Sequence, residues 1–166
     1  ECATCNYEAR KYGIKKGMYL GRARALCPDV VILQYDFDGY EEVSETVSDI
    51  LDHHASENQG YVEHVSCDEA YVEFHLERSD DKSPIEKARE LAESIRKEIL
   101  EATQCTATVG VGKNKLLAKL GTDHVKPNRS FVVEDFRSLL KSLELKQLHG
   151  IGYCLNRKLA ERDLVT

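Results

Sequence analysis

The sequence predicts an α+β fold, in which strands and helices intermix instead of alternating regularly. Three observations carry this prediction. Residues 61–76 are rich in Tyr, Val and Phe, which is typical of paired strands. Residues 83–100 contain the start signals and the apolar stripe of an amphipathic helix. A second β-rich run, CTATVGVG at 105–112, follows that helix and ends in glycines. An apparent β-hairpin favours this class over a doubly wound parallel sheet.

The first 60 residues predict three elements. A helical turn is expected at 6–12, and the apolar run VVIL at 30–33 predicts a short strand. A longer helix starts near Gly39 and ends before Gly60, because its apolar residues recur at helical spacing. The apolar face of this helix consists of Tyr40, Val43, Val47, Ile50 and Leu51.

Two aspartates at the start of that helix have two interpretations. On an extended strand, Asp36 and Asp38 would face the same side and could hold a divalent cation. Alternatively, Asp38 is the N-cap of the helix, and Glu41 completes a capping box three residues later. We favour the helix start, because acidic residues such as Glu41 and Glu42 suit the first turn of a helix.

The second half of the chain begins with a turn at 79–82 and a well-marked helix. Ser83 is the expected N-cap, Pro84 suits the first helical position, and Glu86 completes a capping box. The apolar stripe of this helix comprises Ile85, Ala88, Leu91, Ala92, Ile95 and Ile99. The remaining predicted elements are a helix at 113–121, a strand at 131–133, a helix at 135–143, and a turn leading into a helix within 148–164.

Charge and composition narrow the classes of partner. The net charge is −6, but residues 10–24 carry six basic side chains and no acid. Residues 113–129 carry five basic side chains against one acid. These stretches could form a polyanion site, or they could be the solvated faces of helices. The chain has no apolar run of about 20 residues, so we expect no membrane partner.

The six cysteines suggest reduced thiols instead of a metal centre. Cys2 and Cys5 form one C-x-x-C pair, but a zinc site would need two further ligands at ligand spacing. We therefore expect mostly buried free thiols in an intracellular protein.

The clearest candidate for catalytic chemistry is VSCDEAYVEF at 65–74, where Asp68 and Glu69 are adjacent among small and apolar residues. A divalent metal would explain the pair, since magnesium binds one or two carboxylates together with substrate phosphates. Neighbours in a regular strand face opposite sides, so a shared site requires a bend or a bulge there. The alternative is that one acid is exposed and the other is paired with a basic residue.

Two glycine-containing segments could contact phosphates. VGVGKNK at 109–115 places glycines between a strand and a helix start, where main-chain amides favour an anion. A plain β-turn is the alternative. LHGIG at 148–152 precedes a basic helix and could hold a nucleic-acid backbone, or it could be an ordinary turn between helices.

The order of these motifs resembles that of the Y-family translesion DNA polymerases. The succession is ATCNYEARKYGIKKGM, SCDEAYVEF, TVGVGKNKLLAKL, VKPN and LHGIG, and it covers almost the whole chain. The Cys at position 67 and the run CPDVVILQYDFDGYEEVS are similar to the deoxycytidyl-transferase branch. The resemblance implies a polymerase palm, a mixed or antiparallel sheet with helices on one face. Its domains would be fingers at 1–35, palm at 36–136, and the start of a thumb with a helix-hairpin-helix at 137–166.

The resemblance also implies roles for individual residues. Asp68 and Glu69 would be the catalytic carboxylates that bind two Mg²⁺ ions. Contacts to the incoming dNTP, dCTP in the deoxycytidyl branch, are implied for Thr4, Tyr7, Arg10 and Lys126. Gly150 and Gly152 would hold primer–template DNA, although His149 stands where the family usually has proline.

The family's third metal carboxylate, its gate against ribonucleotides and the arginine that selects dCTP match no position here. We therefore interpret the chain as a fragment and expect it to bind magnesium and dNTP weakly without extending a primer. The parent protein would be a nuclear DNA-repair enzyme that binds other translesion polymerases through regions outside this chain. The alternatives are a lesion-bypass polymerase that uses all four dNTPs and a non-catalytic scaffold that retains the fold.

Overall fold

The computed structural model describes residues 1–78 and 81–164, and helices and strands intermix along them. The predicted α+β class is therefore confirmed. The chain forms two compact units, Glu1–Phe37 and Asp38–Thr166. Part of the turn predicted at 79–82 lies outside the described residues.

The first unit contains two short helices, α1 at Tyr7–Lys11 and α2 at Leu20–Leu26. The side chain of Asn6 caps α1 by accepting a hydrogen bond from the Ala9 amide at 2.9 Å. The helical turn predicted at 6–12 is thus confirmed. Helix α2 was not predicted from the sequence, because it spans only seven residues and no side chain caps its start. Ile14 and Ala23 are the buried apolar residues of this unit.

The strand predicted at 30–33 is wrong. Residues 30–36 have no regular secondary structure, and Val31 and Leu33 are 76% and 83% exposed. An apolar run becomes a strand only where another strand pairs with its main chain. Within the described part of the chain, these residues have no such pairing.

Helix α3 extends over Phe37–Glu57 and begins two residues earlier than an Asp38 cap would require. The prediction that Asp38 is the N-cap is therefore wrong, and Asp38 lies in the first turn. The helix start itself is confirmed, and an acidic residue in this turn still faces the positive end of the helix dipole.

Four strands form two small sheets in the described residues. Strands β1 (Tyr61–His64) and β2 (Ala70–Glu73) pair antiparallel, with Glu63 opposite Tyr71. Strands β3 (Val109–Val111) and β4 (Ser130–Val132) pair parallel. The predicted hairpin is confirmed, and the second pair requires a crossover between its strands.

The crossover is helix α5, and the other helices of the second unit precede or follow these strands along the chain. Their bounds are α4 at Pro84–Thr103, α5 at Lys115–Val125, α6 at Phe136–Lys141 and α7 at Tyr153–Ala160, with a 3₁₀ turn at Leu145–Gln147. None of the helices that the structure describes is both long and apolar enough to cross a membrane.

The predicted start of α4 is confirmed in full. The Ser83 hydroxyl accepts from the Glu86 amide at 3.3 Å, and the Glu86 carboxylate accepts from the Ser83 amide at 2.8 Å. The Ser83 hydrogen bonds lower the pKa of Glu86. The stripe of α4 is buried at Ala92, Ile95 and Ile99, of which the two isoleucines join Ile50 of α3 in one core cluster. The apolar faces of α3 and α4, which the spacing of their apolar residues predicts, therefore pack against each other.

A second core cluster holds α5 against β4 and α6. It comprises Leu117, Leu120, Val133 and Leu139. Glycines allow α5 to approach β3 closely. A methyl group on Gly110 would lie 2.1 Å from the Ala118 carbonyl oxygen, and one on Gly112 would lie 2.6 Å from the Leu117 side chain. These glycines therefore serve helix–strand packing.

Candidate active site

Asp68 and Glu69 occupy the loop that joins β1 to β2. The amides of Val65 and Ser66 both donate to the Glu69 carbonyl, at 2.9 and 3.0 Å, and the chain bends at 66–68. The two acids are consequently outside the regular strands, where alternation would send neighbours to opposite faces. The bend that a shared cation site requires is present.

Both acids are exposed, and each has a partner. Asp68 accepts a hydrogen bond from the Ser66 hydroxyl at 2.8 Å. Glu69 forms an ion pair with Lys119 of α5, and the ammonium of Lys126 lies 4.0 Å from the same Glu69 oxygen. The pairing of one acid with a basic residue, the alternative interpretation of this motif, therefore occurs. Both side chains nevertheless remain exposed, that of Glu69 to 47%.

The environment of Lys119 favours its charged form. The hydrogen bond from Lys119 to Glu69 raises the lysine's pKa, while partial burial opposes the shift. The Lys119 side chain is 20% exposed, so the pair is shielded more than a typical surface ion pair. A charged ammonium consequently lies beside the Glu69 carboxylate.

The donor set fits magnesium as one side of a coordination sphere. Carboxylate oxygens are the ligands that Mg²⁺ prefers, and the ion usually takes one or two of them with waters and phosphates completing the octahedron. In residues 1–78 and 81–164, His, Cys, Asp and Glu side chains form no cluster of three that could hold a metal. The two hairpin carboxylates thus require ligands from a substrate or from other residues.

Lys126 is placed where α5 ends. Its amide donates to the Thr122 carbonyl at 3.1 Å, and its ammonium lies 3.3 Å from Asp123. The side chain is 38% exposed, so it is accessible to an anionic ligand.

Two residues of the site were missed by sequence reasoning. Lys115 and Lys119 are four apart on α5 and point towards the hairpin. Lys115 forms an ion pair with Glu63 and lies 5.5 Å from the centre of the Tyr71 ring. Their spacing of one helical turn was a signal that they share a face. The partner of that face is set by tertiary packing, which the spacing does not specify.

The VGVGKNK segment, considered above as a possible phosphate site, makes local structural contacts within the chain. The helix start is capped internally, because the Asn114 side chain accepts from the Leu117 amide at 2.9 Å. Together with the packing of Gly110 and Gly112, this cap gives the motif a structural role.

In the first unit, the YEAR segment forms α1 and fixes Arg10. The Arg10 guanidinium lies 4.6 Å from the centre of the Tyr7 ring, and its Nε donates to the Cys5 carbonyl at 3.1 Å. Among the residues that the structure describes, no carboxylate pairs with Arg10. Thr4 is exposed, and its carbonyl accepts from the Cys2 thiol at 2.9 Å. Tyr7, Arg10 and Thr4 are thus accessible to ligands.

The glycines of LHGIG shape the turn before α7. Gly150 has φ +91°, a conformation that favours glycine, and Gly152 is the N-cap residue of α7. A methyl group at either position would meet no atom within 4 Å, so the main chain is open to a partner.

All six cysteines are free thiols, and Cys67, Cys105 and Cys154 are exposed, contrary to the expected burial.

Comparisons with known proteins identify relatives over most of the chain. The model of the impB/mucB/samB family matches residues 1–123. DNA repair protein rev1 of Schizosaccharomyces pombe is 39% identical over 161 residues, which cover 96% of this chain and 16% of that protein. DNA polymerase IV of Stenotrophomonas maltophilia is 39% identical over 167 residues, which cover 99% of this chain and 44% of that protein.

Solved structures agree with these matches. An insertion ternary complex of Dbh DNA polymerase superposes with a TM-score of 0.82 at 35% identity, covering 97% of this chain and 45% of that one. The crystal structure of DinB from Sulfolobus solfataricus superposes with a TM-score of 0.80 at 35% identity, covering 97% of this chain and 46% of that one. The chain therefore spans less than half the length of each of these relatives.

Proposed function

The chain belongs to the impB/mucB/samB family, that of the Y-family translesion DNA polymerases, and we propose on this premise that it carries the catalytic carboxylates of template-directed nucleotidyl transfer. The observation that carries the proposal is the loop between β1 and β2, where Asp68 and Glu69 are exposed beside Lys119 and Lys126. Acids and cations in one place are what a triphosphate with its counter-ions requires.

In this proposal Asp68 and Glu69 hold two Mg²⁺ ions, with further oxygen ligands from the substrate and from residues outside this pair. Bound magnesium would stabilise the attacking and leaving oxygens of an in-line displacement at the α-phosphate. Lys126 contributes a point charge to the triphosphate, while Arg10 offers a planar fork that can bind phosphate through two nitrogens. The bond of Arg10 to the Cys5 carbonyl and its contact with the Tyr7 ring hold that fork in one orientation.

Thr4 and Tyr7 are proposed to donate hydroxyl hydrogen bonds to an incoming triphosphate, and Gly150 and Gly152 to contact the DNA backbone. We propose that residues 1–35 are fingers, 36–136 palm and 137–166 the start of the thumb. The boundary between the two compact units, after Phe37, lies close to the first of these divisions.

The substrate preference is proposed to be dCTP, inserted opposite guanine, abasic or damaged template sites. Cys67 in the SCDEA motif and the similarity to DNA repair protein rev1 support it. In this first hypothesis, the full-length protein is nuclear and has other translesion polymerases as partners. The similarity to DNA polymerase IV favours a second candidate, a lesion-bypass enzyme that uses all four dNTPs. Single-nucleotide incorporation opposite each template base by the full-length protein separates the two, since only the first predicts dCTP preference opposite every base.

Primer extension by the full-length protein with Asp68→Ala tests the proposed catalysis itself. The proposal expects extension to be lost, while Asp49→Ala, at an exposed acid on α3, should extend like the wild type. Wild-type extension by Asp68→Ala would contradict the assignment. If the biological activity also survived this change, a scaffold role would account for it better.

A further inference from the structure

Arg96 of α4 makes a set of hydrogen bonds that the proposed active site does not yet use. Its side chain is only 16% exposed. Nε donates to the Ala107 carbonyl at 3.0 Å, and Nη2 donates at 2.7 Å to both the carbonyl and the side-chain oxygen of Asn128. Two of these three acceptors are main-chain carbonyls, so the guanidinium fixes the path of the chain.

The acceptors lie just ahead of the two parallel strands. Ala107 comes before β3 and Asn128 comes before β4. The Asn128 amide also donates to the Thr108 hydroxyl at 2.9 Å, so its amide, carbonyl and side chain are all bonded. Asn128 has φ +52°, a left-handed conformation that asparagine tolerates better than most residues. Arg96 therefore stabilises one defined conformation of this loop.

Glu93, one turn earlier on α4, completes the arrangement. It accepts from Arg96 Nη1 at 2.6 Å and from the Ser130 hydroxyl, and the Ser130 bond lowers the Glu93 pKa. The positive charge of Arg96 is thus balanced within the same network.

Lys126 lies two residues before Asn128, with only Pro127 between them. On one side, the Lys126 amide is bonded to Thr122 as α5 ends. On the other side, Arg96 holds Asn128. The main chain that carries the Lys126 ammonium is consequently fixed at both ends.

We propose that Arg96 is a positioning residue for the incoming triphosphate, acting through Asn128 to fix the direction in which Lys126 is presented. The inference rests on the proposed function, which assigns a triphosphate contact to Lys126. A lysine could not substitute, because one ammonium cannot reproduce the guanidinium fork that bonds two chain segments at once.

The test measures kcat and KM for single-nucleotide incorporation by the full-length protein. Arg96→Gln is expected to raise KM for the dNTP by about fivefold with kcat within about twofold, since lost ground-state positioning appears in KM. Lys126→Ala should raise KM at least as much. The double variant should match Lys126→Ala, because residues that act through one contact are not additive. The inference would be overturned if the KM increases of the two single variants multiplied in the double variant. A wild-type KM in Arg96→Gln would also overturn it.

Two further variants separate positioning from general stability. Arg89→Gln removes an arginine of the same helix whose pair with Glu134 is exposed, and it should leave KM unchanged. Asn128→Gly keeps the left-handed conformation but removes the side-chain acceptor, and we expect KM to rise about threefold with little change in melting temperature. If Arg96→Gln does not fold, a wild-type KM in Asn128→Gly overturns the inference. If Lys126→Ala leaves KM unchanged, the proposed role of Lys126 has failed as well, which distinguishes that failure from one confined to Arg96.

Discussion

Lys119 and Glu69, 50 residues apart in the chain, form an ion pair that joins α5 to the loop between β1 and β2. The pair holds one of the two proposed metal ligands against the helix that is followed directly by Lys126. Since the hydrogen bond to Glu69 raises the pKa of Lys119, the pair adds stability while the lysine is charged.

This stability should depend on pH in a defined direction. The contribution of the pair is fully present below the ordinary lysine pKa of 10.5 and is lost as the pH rises through the higher folded-state value. We expect Lys119→Met to lower the free energy of unfolding by about 0.5 kcal/mol at pH 8, and by less at pH 11.5. Urea unfolding in EDTA measures both values. Lys97→Met, which removes an exposed ion pair on α4, is the control and should show no comparable loss of stability. A destabilisation by Lys119→Met that is larger at pH 11.5 than at pH 8 would contradict the account.

The packing of α5 on β3 should fail when Gly110 gains a side chain. A methyl group there would lie 2.1 Å from the Ala118 carbonyl oxygen and 2.3 Å from the Thr122 nitrogen, both main-chain atoms of α5. We expect Gly110→Ala to lower the free energy of unfolding by about 3 kcal/mol, the upper range for overpacking. Gly21→Ala in α2 meets no atom within 4 Å and should be neutral or stabilising. Equal denaturation midpoints for the two variants would show that α5 can move away from β3.

These features mark what the sequence could and could not predict. The start of α4 follows from local chemistry, because Ser83 and Glu86 hydrogen-bond each other's main-chain amides and Pro84 has no amide hydrogen to satisfy. Its apolar stripe follows from the spacing of the apolar residues. The segment 30–33 has the composition of a strand, but pairing depends on a neighbour that composition does not reveal. Likewise, Asp68 and Glu69 were recognisable as a motif, whereas the partnership of Glu69 with Lys119 arises only when α5 packs beside the hairpin.

Arg10 provides a test of the proposed triphosphate contacts in the first unit. Arg10→Lys keeps the charge but loses the guanidinium that bonds the Cys5 carbonyl and lies against the Tyr7 ring. In the full-length protein, we expect KM for the incoming dNTP to rise about tenfold, which corresponds to about 1.4 kcal/mol of binding. Lys11→Ala, which removes an exposed lysine paired with Glu8 on the same helix, should leave KM unchanged. Equal KM values for the two variants would remove Arg10 from the site.

The most direct test of the central claim, that Asp68 and Glu69 hold the catalytic metal, is the binding of Mn²⁺ by the full-length protein. Electron paramagnetic resonance counts free Mn²⁺ during a titration in the presence of dNTP and primer–template DNA. The account predicts that the double variant Asp68→Asn, Glu69→Gln binds Mn²⁺ at least about tenfold more weakly than the wild type, while Asp49→Asn on α3 binds it normally. Unchanged affinity and stoichiometry in the double variant would contradict the account.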